Sequence, residues 1–135
     1  MKLLKITSVL FITFAMLWAD TAVEITDITL EKRPHQILNI IIEIKNISNK
    51  EIDELIGYLY LYDESQKNIT KIEVTVLHNA DIPLKSQQVH AKNTIIKLPP
   101  NLSGNTDFRI KTLRFAGDKS IYTVCPKCGE LILLE

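Results

Sequence analysis

The chain has 135 residues, 46% of them hydrophobic, which suits one domain with a single modest core. Sixteen basic residues balance sixteen acidic ones, and the lysines are scattered singly among Ile, Val and Leu. Such a balance makes no long-range field to gather nucleic acid or anionic lipid, which argues against nucleic acid as a partner.

Met1 to Lys5 is a short basic start, Ile6 to Trp18 is an uncharged and mostly apolar run, and Ala19 precedes the first acid, Asp20. A basic flank, a short apolar core and a small exit residue make a secretory signal peptide. Thirteen helical residues reach about 20 Å against a hydrocarbon core of roughly 30 Å, so a membrane span is the poorer reading. Cleavage is expected after Ala19, although Leu17 at the third position back is bulkier than the ideal Ala. It removes Lys2 and Lys5 but no acid, leaving fourteen bases against sixteen acids. Residues 20–135 then form one exported domain, periplasmic or secreted, with no membrane span after cleavage.

From there the hydrophobic period is two almost everywhere, with no sustained helical stripe. Val23 to Leu30 is a first strand with a phase change near Asp27. Ile37 to Ile47, nearly continuous in Ile and Leu, reads as a central strand with Ile40, Ile42 and Ile44 on one face. Asn46 to Glu51 carries turn residues. Leu55 to Asp63 is the next strand, and Asp63 to Asn68 turns it into Ile69 to Leu77. The stretch Asn79 to Lys85, with Pro83, is a loop or an edge crossing. Gln88 to Leu98 is a strand stopped by Pro99-Pro100, and Asn101 to Asn105 reads as a polar loop. Thr106 to Phe115 resumes the alternation. There Phe108 and Ile110 share one parity while Leu113 and Phe115 share the other, and a bulge near Lys111-Thr112 would turn all four inward. Gly117-Asp118-Lys119 is a turn, Ile121 to Val124 a short strand, and Leu131 to Leu134 an apolar last one. Ile42 and Leu61 are expected on the inner faces of adjacent strands. Seven or eight short strands with polar turns predict an all-β, antiparallel, immunoglobulin-like β-sandwich.

Leu59-Tyr60-Leu61-Tyr62-Asp63 resembles the signature of the FxLYD-type domains, small secreted or envelope β-sandwiches, with Leu59 in the Phe position. Glu43 to Lys50 is similar to that family's strand ending in an Asn-rich turn. Leu98-Pro99-Pro100 to Gly104, leading into a strand with alternating aromatics, is similar as well. The likeness covers roughly residues 23–115. It implies a fold and an accessory, non-catalytic character, and it carries no catalytic residue across.

Tyr58, Tyr60 and Tyr62 fall on one face of their strand, opposite Leu59 and Leu61. Such a row is either a binding face, because aromatic rings bring large contact area at little entropic cost, or plain cross-strand packing with hydroxyls in water.

Cys125-Pro126-Lys127-Cys128-Gly129 holds the chain's two cysteines. Two thiols at this spacing either chelate a metal from a tight turn or close into a small disulfide. Gly129 suits the turn, where a side chain would obstruct the backbone amides. The segment from Tyr122 to Leu131 resembles one knuckle of a zinc ribbon. A full zinc shell would need further ligands from His35, His78 or His90, from carboxylates, or from the same knuckle of a second chain in a homodimer. Cys-Pro-Lys-Cys also looks like a thioredoxin-type dithiol, but only seven residues follow Cys128, too few to build that fold. Position 129 is Gly where covalent haem attachment needs His. In an oxidising compartment the plain expectation is a disulfide that pins the C-terminal hairpin.

Nucleophile elbow, phosphate loop and metalloprotease helix are all missing, so no enzyme is expected. Asn46, Asn68 and Asn101 begin glycosylation sequons that matter only in a eukaryotic host, whereas the Ile- and Lys-rich composition and compact leader look bacterial. The leading expectation is an exported, non-catalytic β-sandwich that binds another protein or an envelope component, without a cofactor. The alternatives are a zinc-binding accessory protein working through Cys125 and Cys128, and an envelope thiol–disulfide exchange protein.

Overall fold

The computed structural model describes residues 22–67, 69–125 and 129–134. The expected leader, residues 1–19, lies outside them, as do Asn68 and Cys128. Every regular element among the described residues is a strand: β1 (Val23–Arg33), β2 (Ile37–Asn46), β3 (Ile52–Asp63), β4 (Ile69–Leu77), β5 (Val89–Lys97), β6 (Leu102–Phe115), β7 (Tyr122–Val124) and β8 (Leu131–Leu133). No helix among them is long and apolar enough to cross a membrane.

The strands form two antiparallel sheets, one ordered β1-β2-β5 and the other β4-β3-β6-β7-β8. Placing the first, second and fifth strands opposite the third, sixth and seventh is the immunoglobulin-like arrangement. The fourth strand joins the third here rather than extending the smaller sheet. This follows from the short Asp63-to-Lys67 turn, where the Asp63 carboxylate accepts the Lys67 N–H at 3.1 Å and folds β4 straight back on β3.

Period two decides which face is inside. Leu38, Ile40, Ile42 and Ile44 of β2 meet Ile52, Leu55, Leu59 and Leu61 of β3, none more than 1% exposed. Burying a side chain of this kind contributes roughly 1.5–3 kcal/mol. Ile42 and Leu61 are both internal, but they belong to opposite sheets rather than to adjacent strands of one. β2 is central in its sheet, in accord with its unbroken Ile and Leu run.

Both phase changes visible in the sequence are bulges. In β1 the register shifts between Ile25 and Asp27. In β6, Ile56 pairs with Thr112 while the next residue, Gly57, pairs with Ile110, so Lys111 is the extra residue. That keeps Phe108, Leu113 and Phe115 buried, with Ile110 packed against the same core.

One expected loop is strand. Residues 102–105 belong to β6, with Leu102 opposite Asp63. Ser103 Oγ donates to the Tyr62 carbonyl at 2.9 Å, so a polar residue continues the pairing beyond the core. The 78–88 segment is a crossing between sheets, fastened by paired backbone hydrogen bonds between Leu84 and Ile52. Asn46 seals the same corner. Its amide is buried and donates to the carbonyls of Lys50 at 2.8 Å and Leu84 at 2.9 Å, which removes it as a glycan acceptor in the folded state.

Candidate functional site

The tyrosine row lies on the outer face of the five-stranded sheet. Each ring is half-buried, and the register fixes its neighbours: Tyr58 sits between Glu73 of β4 and Arg109 of β6, Tyr60 between Lys71 and Asp107, and Tyr62 beside Ile69. Antiparallel pairing places directly opposed side chains on one face, within contact of each other.

Cations cover the rings. Lys71 Nζ stands 4.0 Å from the centroid of Tyr58 and 5.9 Å from that of Tyr60. Lys111 Nζ is 5.5 Å from the Tyr58 centroid, and the Arg109 guanidinium carbon is 5.4 Å from that of Tyr60. These separations lie in the cation–π range. Lys111 reaches the face because it follows inward-facing Ile110, and the extra position then returns Leu113 to the core.

Two carboxylates brace the cations, Glu73 against Lys111 at 2.8 Å and Asp107 against Arg109 at 3.0 Å. The hydrogen bond to Glu73, followed by that to Tyr58, holds the Lys111 ammonium above its ordinary pKa. The Asp107 hydrogen bond acts in the same direction on Arg109. Exposed ion pairs add little stability. What the arrangement supplies is a flat surface of two aromatic rings with charges of both signs at fixed positions, able to stack, donate and accept.

The knuckle sits at the far end of the same sheet. β7 pairs with β6 through Leu113 and Tyr122 alone, so side chains do much of the fastening. Tyr122 packs edge-on against Phe115 at 5.6 Å. The Asp118 carboxylate accepts from the Ser120 N–H at 2.8 Å and from the Tyr122 hydroxyl at 3.3 Å, and chiefly the Ser120 bond draws Asp118 below the usual carboxylate range. Within the hairpin, the Gly129 N–H donates to the Cys125 carbonyl and the Cys125 N–H to the Glu130 carbonyl, both at 2.9 Å. Gly129 has φ +76°, the left-handed conformation that residues with a Cβ avoid.

Cys125 is disulfide-bonded; Cys128, the chain's other cysteine, lies outside the described residues. Cys125 lines a shallow groove with Val23, Ile25, Phe108 and Ile110. Asp107 and Arg109 stand between the two candidate regions, flanking Tyr60 on one side and lining this groove on the other.

The histidines are dispersed. His35 is in the β1–β2 turn, His78 follows β4 with its Nδ1 accepting the Ala80 N–H at 3.1 Å, and His90 is on β5. Among the described residues, no group of three or more His, Cys, Asp or Glu side chains is placed to hold a metal ion. The zinc reading therefore gains no further ligands from them.

Lys71, Arg109 and Lys111 were not singled out by the sequence. Their positions over the rings depend on which strands flank β3 and on the register between them.

No protein-family model and no curated protein matches the sequence. Among solved structures, the chain is similar to the X-ray structure of Northeast Structural Genomics Consortium target SoR45. The identity is 9% over 87% of this chain and 85% of that one, with a TM-score of 0.37, too loose a likeness to bear on function.

Proposed function

We propose that this chain is an exported, non-catalytic β-sandwich of the bacterial cell envelope that binds another protein or envelope component through the tyrosine face of its five-stranded sheet. The observation that carries the reading is the cation cover on Tyr58 and Tyr60. Exposed lysines and arginines are ordinarily mobile, whereas here three converge on two rings and two of them are braced by carboxylates. Ordering such side chains in advance lowers the entropy cost of association, and tyrosine and arginine are the residues that most often dominate binding energy. The basic and apolar start of the sequence supports export, and the resemblance to FxLYD-type domains supports an accessory role.

The disulfide at Cys125 favours the knuckle as a structural staple over a zinc site. A metal would require free thiolates.

Photo-crosslinking in the exporting host tests the reading. A benzophenone side chain in place of Tyr62, at the rim of the face, is expected to yield a discrete adduct with an envelope component. The same probe in place of Glu24, exposed on the outer face of the other sheet at its β1 edge, is expected to yield none. Equal adducts from both positions, or none from either, would overturn the proposal.

A further inference from the structure

The sandwich is open along one side, where the edge strand of each sheet faces the other. There β4 and β5 border a cleft of about 740 Å³ whose floor is Val76, Leu77 and Leu84, all nearly fully buried. Ile82, on the crossing loop, projects at its rim with 86% of its surface exposed.

The inward face of β5 is unusual. His90 is opposite Ile44, Lys92 opposite Ile42 and Thr94 opposite Ile40, and all three isoleucines point into the core. Directly opposed residues share a face, so His90 and Lys92 turn toward the opening between the sheets, and both line the cleft. Neither has an ion-pair partner among the described residues. The acid in the lining, Asp81, is turned to its own loop, accepting the His78 N–H at 2.9 Å.

Among the described residues, β5 pairs with β2 on one side and with no strand on the other. An edge of nine residues presents a backbone ladder that another chain can join. An inward-pointing charge, here Lys92, is a known guard against such pairing, and a second copy of this strand would bring the same charge with it. An acidic strand brings its complement.

We propose that β5 accepts an extended acidic segment of a partner protein as an added strand. Backbone hydrogen bonds would supply the ladder. Carboxylates on the segment's inward face would meet Lys92 and His90, and its apolar side chains would cover Ile82 and the cleft floor. This surface is separate from the tyrosine face, so either proposal can fail alone.

The probes are two acetylated and amidated nonapeptides in which Thr alternates with inward-facing residues. One carries Val-Glu-Glu-Val and its twin Val-Lys-Lys-Val, each with a fluorescent tag for anisotropy. The full mature chain is expected to bind the acidic peptide at least about tenfold more tightly than the basic twin, a selectivity built from attraction and repulsion together. Lys92→Gln is expected to narrow the gap and Lys92→Glu to reverse it, with both variants checked for native dichroism. Tyr58→Ala is expected to leave the preference intact, and amide shifts on adding the acidic peptide are expected along β5. The proposal is overturned if neither peptide binds, if both bind equally, if Lys92→Glu keeps the acidic preference, or if the shifts fall on β3 and β6 instead of β5.

Discussion

Replacing Gly57 with Ala tests the packing at the centre of the larger sheet. A Cβ built on Gly57 comes within 2.3 Å of Phe108 Cζ, and 2.8 Å of both Phe108 Cε2 and the Arg109 carbonyl oxygen. The ring could swing aside, but Phe108 is itself buried among core residues, and the carbonyl belongs to a paired backbone that must move as a whole. Overpacking of this kind costs about 1–3 kcal/mol. Replacing glycine in a strand returns roughly 0.5–1 kcal/mol of backbone entropy. The net expectation is a loss of about 1–2 kcal/mol, or several degrees in melting temperature for a domain of this size. Gly104, also in a strand, is the internal control, since a Cβ there meets nothing within 4 Å, and Gly104→Ala should leave the protein as stable as the parent or up to about 1 kcal/mol more so. Urea unfolding of both variants, followed by far-ultraviolet dichroism, reads the difference. Gly57→Ala at least as stable as the parent would refute the contact between β3 and the Phe108 ring.

Ile42→Ala and Leu61→Ala should each lose about 2–5 kcal/mol by the same assay, and losses below about 0.5 kcal/mol at both would mean the strand faces are misassigned. Asp118 should titrate below the ordinary Asp range in a carboxyl carbon NMR experiment, because the Ser120 N–H favours its charged form. Its folded-state pKa being depressed, its contribution is whole above the unfolded value and is lost as pH falls through the folded one. The advantage of the parent over Asp118→Asn should therefore vanish in acid, and a midpoint at or above the ordinary range would contradict this. Cys125 and Cys128 should both resist alkylation until reduced, with no stoichiometric metal. Replacing both by Ser should cost little, because a short loop gives a disulfide little entropy to restrict. One zinc per chain, or per two chains, would count against the staple.

The fold was legible wherever burial imposes a period. Ile40, Ile42 and Ile44 announce β2, and the parity change between Ile110 and Leu113 announces the bulge at Lys111. Ser103 to Asn105 concealed the first turns of β6 because they lie beyond the core, where pairing continues without apolar side chains to mark it. Edge positions were hidden for a different reason. Nothing local to Val89–Lys97 says that β5 has one strand neighbour among the described residues, and so nothing local says that Lys92 faces an opening. At the tyrosines, sequence placed Tyr58, Tyr60 and Tyr62 on one face. The cations above them come from strands more than ten residues away in sequence on one side and nearly fifty on the other, as with Lys71 and Arg109 around Tyr60. Such partners become visible only once register is known.

The tyrosine face is tested most directly by the affinity of the component crosslinked at position 62 for the Tyr58→Ala/Tyr60→Ala variant, measured by calorimetry beside the parent. Truncating both rings removes the flat surface and the sites over which Lys71, Arg109 and Lys111 are held, while Leu59 and Leu61 keep the core face of β3 intact. The predicted result is binding weakened at least tenfold in a variant with unchanged dichroism, the scale of a residue pair that dominates an interface. Unchanged affinity in that folded variant would contradict the account.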